Sequence, residues 1–373
     1  MRRRDLLASA VGVAAGAAGL PTLSQAAPAA AEETDAWTPA PQVMEGLQRI
    51  VTPNGVQETL TLPIGGLPQV VNVRGADRRN PILLFVHGGP GAVEMPIAWT
   101  FQRPWEDLFT CVQWDQRGAG RTYRLSDPAV VGPTLSRDRI RDDCVELIEQ
   151  LLRRYGGRKV VLLGHSWGSA VGLSAAFARP DLLHAYVGVG QIIDARENER
   201  RGYAWTLAEA RRRGDADAVR ELEALRPYPA DGPLSLEKVD VERRWNVRYG
   251  GLAWGRSDAD FYFQAARLSP LYGPADRRAW NAGSALSMSR LWPALADLSF
   301  QDQRSLATPT FMFLGRNDWT TPSSVAAEWL DRLQAPAKAV AWFEHSAHLP
   351  FIEEPGRFFA ALLQHVMPLT QEG

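Results

Sequence analysis

Between about residues 57 and 190, short apolar runs alternate with longer stretches in which apolar residues return every three or four positions. The short runs are QVVNVRG (69–75), PILLFVHG (81–88), LFTCVQWD (108–115), KVVLLG (159–164) and AYVGVG (185–190). Several are almost continuously hydrophobic. A strand covered on one face alternates apolar with polar, whereas a strand covered on both faces need not. These runs therefore predict parallel strands in a sheet packed on both sides. Residues 136–157 predict a helix: Ile140, Cys144, Leu147, Ile148, Leu151 and Leu152 fall at helical spacing, with Ser136 to cap the start and Gly156 to stop the end.

The alternation breaks after Gly190. Residues 191 to about 300 are rich in arginine, acids and tryptophan, and NERRGYAWTLAEARRRGDADAVRELEAL is clearly helical in character. Strand-like runs return at TPTFMFLG (308–315) and AKAVAWFE (337–344), each followed by a helical segment, 322–333 and 355–366. Strand–helix alternation interrupted once implies an α/β sheet with a helical insertion. Ligands in such sheets bind beyond the carboxyl ends of the strands, and an insertion rooted there forms a lid.

Composition narrows the classes. With 373 residues, 45% of them hydrophobic, the chain can bury a large core. Its net charge of −1 provides no electrostatic basis for binding nucleic acid or an anionic membrane surface. No cysteine or histidine cluster has metal-ligand spacing, so neither metal nor cofactor is expected. Cys111 and Cys144 each sit in an apolar segment and are expected as buried free thiols, although an oxidising compartment would permit a disulfide.

The N-terminus stands apart. Three arginines precede an Ala/Gly/Val/Leu stretch from Leu6 to Leu20, which is interrupted by glycine and falls short of the ~20 residues that a membrane-spanning helix needs. Small residues follow, with SQA before Ala27. This is the layout of a secretory leader, and Arg3-Arg4-Asp5-Leu6-Leu7 resembles a twin-arginine signal. The expected organisation is a signal peptide over 1–26 and a linker over 27–45. The α/β core would occupy 46–190 and 301–373, divided by a helical cap over 191–300. Export to the periplasm or beyond, with no membrane span after processing, follows from that leader.

The chemistry is concentrated at VVLLGHSWGSAVGL (160–173). Gly164-His165-Ser166-Trp167-Gly168 is a G-x-S-x-G element placed after a strand and before a helix, the context in which a serine becomes a nucleophile. Its helix N-terminus offers free N–H groups to a developing oxyanion. A serine needs a base, and the base an orienting acid, in the chain order Ser, acid, His. Asp318 lies just past the strand-like run 308–315, and His348 just past 337–344. They are the first candidates, with Asp194 and His345 as alternatives. His87, His165, His184 and His365 read as structural. Upstream, His87-Gly88-Gly89-Pro90-Gly91 follows a strand. The N–H groups of Gly89 and Trp167 are the candidate oxyanion hole.

HGGPG (87–91), WDQRGAGRT (114–122) and GHSWGSA (164–170), together with Asp318 and His348, resemble the proline iminopeptidase (prolyl aminopeptidase) family of serine peptidases. The likeness covers about 57–190 and 305–368. It implies an α/β-hydrolase fold: a mostly parallel sheet flanked by helices, with a helical cap insertion. It also implies Ser166 as nucleophile, Asp318 as acid, His348 as base and Gly89 with Trp167 as oxyanion hole. DQRGAGR is expected to be a structural turn beside the pocket. An aminopeptidase of this kind needs cap carboxylates for the free α-amino group, and Glu197, Glu199 and Glu242 are the candidates. Cap aromatics such as Tyr203, Trp205, Tyr249, Tyr262, Phe263 and Trp292 are expected to divide between cap core and pocket wall. The implied substrate is a short peptide or small molecule. The rival readings are an esterase, lactonase or amidase with the same triad, and a binding protein without turnover.

Overall fold

The computed structural model describes residues 39–371. The expected leader, its cleavage site and the linker up to residue 38 lie outside them. The remainder of the expected linker is corrected in part, because Ala40–Leu47 is helical. No residue of that helix is buried, and Val43 and Leu47 face solvent, which is why its sequence carries no core signature.

Eight strands form one sheet: β1 (Val56–Ile64), β2 (Leu67–Gly75), β3 (Ile82–Val86), β4 (Thr110–Asp115), β5 (Val160–His165), β6 (Leu183–Val189), β7 (Thr310–Gly315) and β8 (Lys338–Phe343). Their spatial order is β1-β2-β4-β3-β5-β6-β7-β8. The β1/β2 and β2/β4 pairs are antiparallel, and every pair from β4 to β8 is parallel. Every residue of β3, β4, β5 and β7 is buried, in keeping with their continuous apolar runs.

Successive side chains along a strand point to opposite faces, so each strand feeds two cores. Leu84, Val86, Leu162 and Met312 pack on one side with Ile140, Cys144 and Leu147 of helix Arg137–Tyr155 and with Trp329 of helix Ser323–Arg332. Leu83, Phe85, Leu163 and Phe313 pack on the other with Phe358 and Leu362 of helix Pro355–His365. Helix Arg137–Tyr155 starts where Ser136 accepts a hydrogen bond from Arg139 N and stops at Gly156 (φ +81°). Cys111 and Cys144 are buried and free.

Between β6 and β7 the chain leaves the sheet at its carboxyl edge. It forms helices Ala195–Arg213, Ala216–Glu223, Leu236–Arg248, Asp260–Ala265 and Pro274–Leu291. Tyr203, Leu207, Leu222 and Tyr249 give this cap a small core of its own. No described helix is long and apolar enough to cross a membrane.

Candidate active site

Ser166 occupies the turn from β5 into helix Trp167–Ala178, with φ +53° and ψ −120°. A non-glycine residue rarely adopts this conformation, and the surrounding packing must enforce it. The flanking glycines show how. A Cβ on Gly168 would lie 2.0 Å from the carbonyl oxygen of Val86, and one on Gly164 would lie 2.4 Å from that of Gly168. Only glycine lets the helix start so close to β3. The strained turn lifts the Ser166 hydroxyl above the carboxyl edge of the sheet.

The loops after β7 and β8 converge on it. Asp318 is buried, and its Oδ1 accepts from Thr321 N (2.8 Å). Its Oδ2 accepts from the Thr321 hydroxyl (2.9 Å) and faces His348 Nδ1 at 2.8 Å. With Nδ1 held by a carboxylate, His348 carries its proton there and presents Nε2 as the basic nitrogen. Burial pushes the His348 imidazole below its ordinary 6.5, against the opposing pull of Asp318, so the ring is neutral at neutral pH. The loop carrying His348 is pinned from downstream. Glu353 accepts from the N–H groups of Ala347 (2.9 Å), Leu349 (3.2 Å) and Trp254 (2.6 Å), and Glu354 accepts from His345 N and the Ser346 hydroxyl. Ser166 and His348 face the same cavity, with no hydrogen bond between their side chains.

Of the two alternatives, Asp194 caps helix Ala195–Arg213 by accepting from Glu197 N. His345 is exposed, with its ring 5.1 Å from that of Trp254. Neither faces the serine.

Gly89 adopts φ +108° and borders Ser166. The Gly89 and Trp167 N–H groups have no protein acceptor among the described residues and remain free for an oxyanion. The three glycine-bearing motifs brace one another. Trp167 Nε1 donates to Gln116 Oε1 (3.0 Å), and Gln116 Nε2 donates to the carbonyl of His87 (2.9 Å). Asp115 supports the same turn by accepting from Arg121 N (2.7 Å) and the Tyr272 hydroxyl.

Two residues near Ser166 have contacts that no local sequence pattern marks. His165, taken as structural, lines the cavity beside Ser166 and His348, as does Glu94. His165 Nδ1 lies 2.7 Å from Glu94 Oε1, and Nε2 lies 3.1 Å from the carbonyl oxygen of His348. Glu94 also accepts from Gly88 N (3.1 Å) and the Tyr262 hydroxyl (3.2 Å). It thereby joins the loop before Gly89, the backbone of the base and the cap. Its partners lie up to 168 positions away in sequence, and no local pattern marks them.

Two cavities meet at Ser166. The first, of about 210 Å³, opens under the cap and is lined by Ile192, Val239, Met288 and Trp292 together with Asn198, Glu199, Asp240 and Arg243. The second, of about 180 Å³, lies on the side of His348.

The three cap glutamates separate. Glu199 is buried and lines the first cavity, accepting from Arg243 and the Tyr228 hydroxyl. Glu242 is fully buried behind Arg243, to which it pairs, and it accepts from the Thr206 hydroxyl (2.6 Å). Burial raises its carboxyl above the usual range. Glu197 reaches neither cavity. It pairs with Arg200 and Arg201 at the surface, and the Arg200 guanidinium holds its carboxyl down at about 2. Two helical positions separate Glu197 from Glu199, a rotation of about 200° that puts them on opposite faces. In the same cavity wall, both amide atoms of Asn198 and the indole Nε1 of Trp292 are buried without a partner among the described residues. Among those residues, no group of three or more histidines, cysteines or acids is placed to hold a metal ion.

Comparison with known proteins agrees with this fold. A probable aminopeptidase, YbaC, of Bacillus subtilis (strain 168) is 29% identical over 307 residues, which span 82% of this chain and 94% of that protein. A proline iminopeptidase of Heyndrickxia coagulans is 22% identical over 294 residues, 75% of this chain and 88% of that one. Among solved structures, VinJ superposes with a TM-score of 0.60 at 22% identity, and a proline iminopeptidase of Mycobacterium smegmatis with 0.58 at 17%. Each covers 84% of this chain and 99% of its own, and at such identities the likeness speaks for the fold. The alpha/beta hydrolase fold family model matches residues 81–355, which include Gly89, Ser166, Asp318 and His348, and the chain belongs to that family.

Proposed function

We propose that this hydrolase is a serine aminopeptidase that removes N-terminal proline or a similarly small residue from short peptides. His348 takes the Ser166 proton, Ser166 attacks the carbonyl, and the Gly89 and Trp167 N–H groups receive the oxyanion. His348 then protonates the departing amine, and water clears the acyl-enzyme by the same route in reverse.

The observation that carries the peptidase reading is the charge of the cavity under the cap. Its wall holds two carboxylates, Glu199 and Asp240, against one guanidinium, Arg243, and a third carboxylate, Glu242, stands behind that arginine. The surplus of negative charge beside the nucleophile favours a cationic group such as a free α-ammonium. About 210 Å³ suits one compact side chain, since an apolar cavity of ~150 Å³ already accommodates a benzene ring. The relatives named aminopeptidase and proline iminopeptidase support the same choice.

A second reading, an esterase, lactonase or amidase acting on a substrate without an amine, draws on the partial neutralisation of Glu199 by Arg243. The deciding experiment compares proline p-nitroanilide, its N-acetyl form and a short-chain p-nitrophenyl ester, with Ser166→Ala as blank. The aminopeptidase reading expects cleavage of the free-amine anilide, little of the acetylated one, and a rise in KM on Glu199→Gln. Equal cleavage of both anilides, or cleavage of the ester alone, refutes it. The export reading of residues 1–26 is tested by cell fractionation, where Arg3→Lys with Arg4→Lys should leave the protein in the cytoplasm.

A further inference from the structure

We infer that the two cavities at Ser166 are separate subsites with opposite tastes, and that the one beside His348 is a leaving-group site for a neutral, apolar group. The inference rests on the serine-hydrolase mechanism above, but not on the aminopeptidase choice. Acyl transfer itself assigns the sides. The base that takes the serine proton must hand it to the leaving nitrogen or oxygen, so the leaving group departs alongside His348. Ser166 and Gly89 border both cavities, but His348 borders only the second. The first is then the acyl side, where Glu199 and Asp240 wait.

The walls of the second cavity define what it accepts. Leu252, Ala259, Tyr262, Phe263 and Leu349 supply its apolar surface, and no lysine or arginine lines it. Its one carboxylate is not free for a ligand, because Glu94 is engaged by His165, Gly88 N and the Tyr262 hydroxyl. The Tyr262 hydroxyl is spent on the same contact. A leaving group with its own charge would therefore lose water without gaining a counter-charge. About 180 Å³ is room for one phenyl or leucine-sized group. Phe263, half exposed at 50%, continues this apolar surface toward solvent. In a peptide substrate the group seated here is the second residue. The prediction is a bulky apolar second residue whose own carboxyl is blocked or continues into further chain, disfavouring a free dipeptide carboxylate.

The test keeps the acyl group constant and varies only what leaves. Prolyl-phenylalaninamide, prolyl-glycinamide and prolyl-phenylalanine with a free carboxylate are compared by rapid-quench measurement of acylation and deacylation. If the protein does not use prolyl amides, cyclohexylmethyl and methyl esters of one short acid, whose alcohols are of similar basicity, replace them. Acylation of the phenylalaninamide should exceed that of the glycinamide by about tenfold or more, and the free carboxylate should cost about tenfold. Deacylation should be identical for all, because the leaving group has gone. Ala259→Phe, which fills the cavity, should erase the preference in acylation. Acylation indifferent to the leaving group overturns the inference, as does a preference abolished by Val239→Phe on the acyl side instead. Failure of even an activated ester to acylate Ser166 would refute the serine mechanism, a result distinct from either.

Discussion

Replacing Asp318 by asparagine tests the triad through the proton it controls. Asp318 is buried and offers only acceptors: Oδ1 to Thr321 N, and Oδ2 to the Thr321 hydroxyl and His348 Nδ1, all within 2.8–2.9 Å. Asparagine fills the same space with one oxygen and one NH2 group. The Thr321 N–H can only donate, so the amide oxygen must take the Oδ1 position and the NH2 must point at His348. An NH2 there donates to Nδ1 and drives the imidazole proton to Nε2, where it blocks acceptance of the Ser166 proton. The fold keeps its shape while the base is held in the wrong tautomer. Loss of the tautomer is expected to cost about 10⁴ in kcat, or about 5 kcal/mol of barrier, with KM nearly unchanged. Whatever activity remains should lose protons at lower pH than the wild type, since the Asp318 charge pulls the His348 pKa upward. Single-turnover kinetics on an activated ester, with a thermal melt to confirm folding, would measure this. An Asp318→Asn protein that is folded and retains a tenth of wild-type kcat would refute the assignment of both residues.

Other outcomes follow from the same geometry. Activity needs His348 unprotonated, and burial lowers its pKa, so kcat/KM should hold steady through neutrality and fall only as pH drops below 6.5, as a pH–rate profile would reveal. Gly168→Ala would drive a methyl group to within 2.0 Å of the Val86 carbonyl and should abolish turnover or folding. Gly356→Ala, with open space at its Cβ, should do neither, and circular dichroism with an esterase assay would distinguish them. Phe358→Ala removes a fully buried ring that stacks on Trp105 at 5.3 Å and meets Phe313 at 5.2 Å. Denaturant titration should record a loss of about 3–5 kcal/mol. Asn198→Leu replaces an unpartnered carboxamide in the wall of the cap-side cavity and should raise KM with little change in kcat, measured by steady-state kinetics.

Much of this architecture was legible because the strands nearest the site are buried on both faces. Continuous apolar runs such as ILLFV and VVLLG have few other uses, and β3 and β5 fall where those runs lie. Ser136 and Gly156 likewise bounded their helix by chemistry alone. The strand β1 was not marked, because it is an edge. Only alternate residues turn inward, Glu58 interrupts that inward row, and Pro63 sits where no ladder hydrogen bond is needed. Ser166, Asp318 and His348 could be ordered in advance because each leaves the carboxyl end of a strand. The cap resisted the same treatment. Whether Glu197, Glu199 or Glu242 meets the nucleophile depends on helix rotation and on Arg243, a partner 44 positions from Glu199. The partner that holds His165 was equally out of reach, because Glu94 lies 71 residues earlier.

The most direct measurement of the central claim is covalent capture of the nucleophile. The purified protein would be treated with a fluorophosphonate, a reagent that phosphonylates activated serines, and the adduct located by peptide mass mapping. A single adduct on Ser166, formed at a rate that falls steeply in Asp318→Asn and disappears in Ser166→Ala, is the predicted result. An adduct on another residue, or an active enzyme whose Ser166 remains unmodified, would contradict the account.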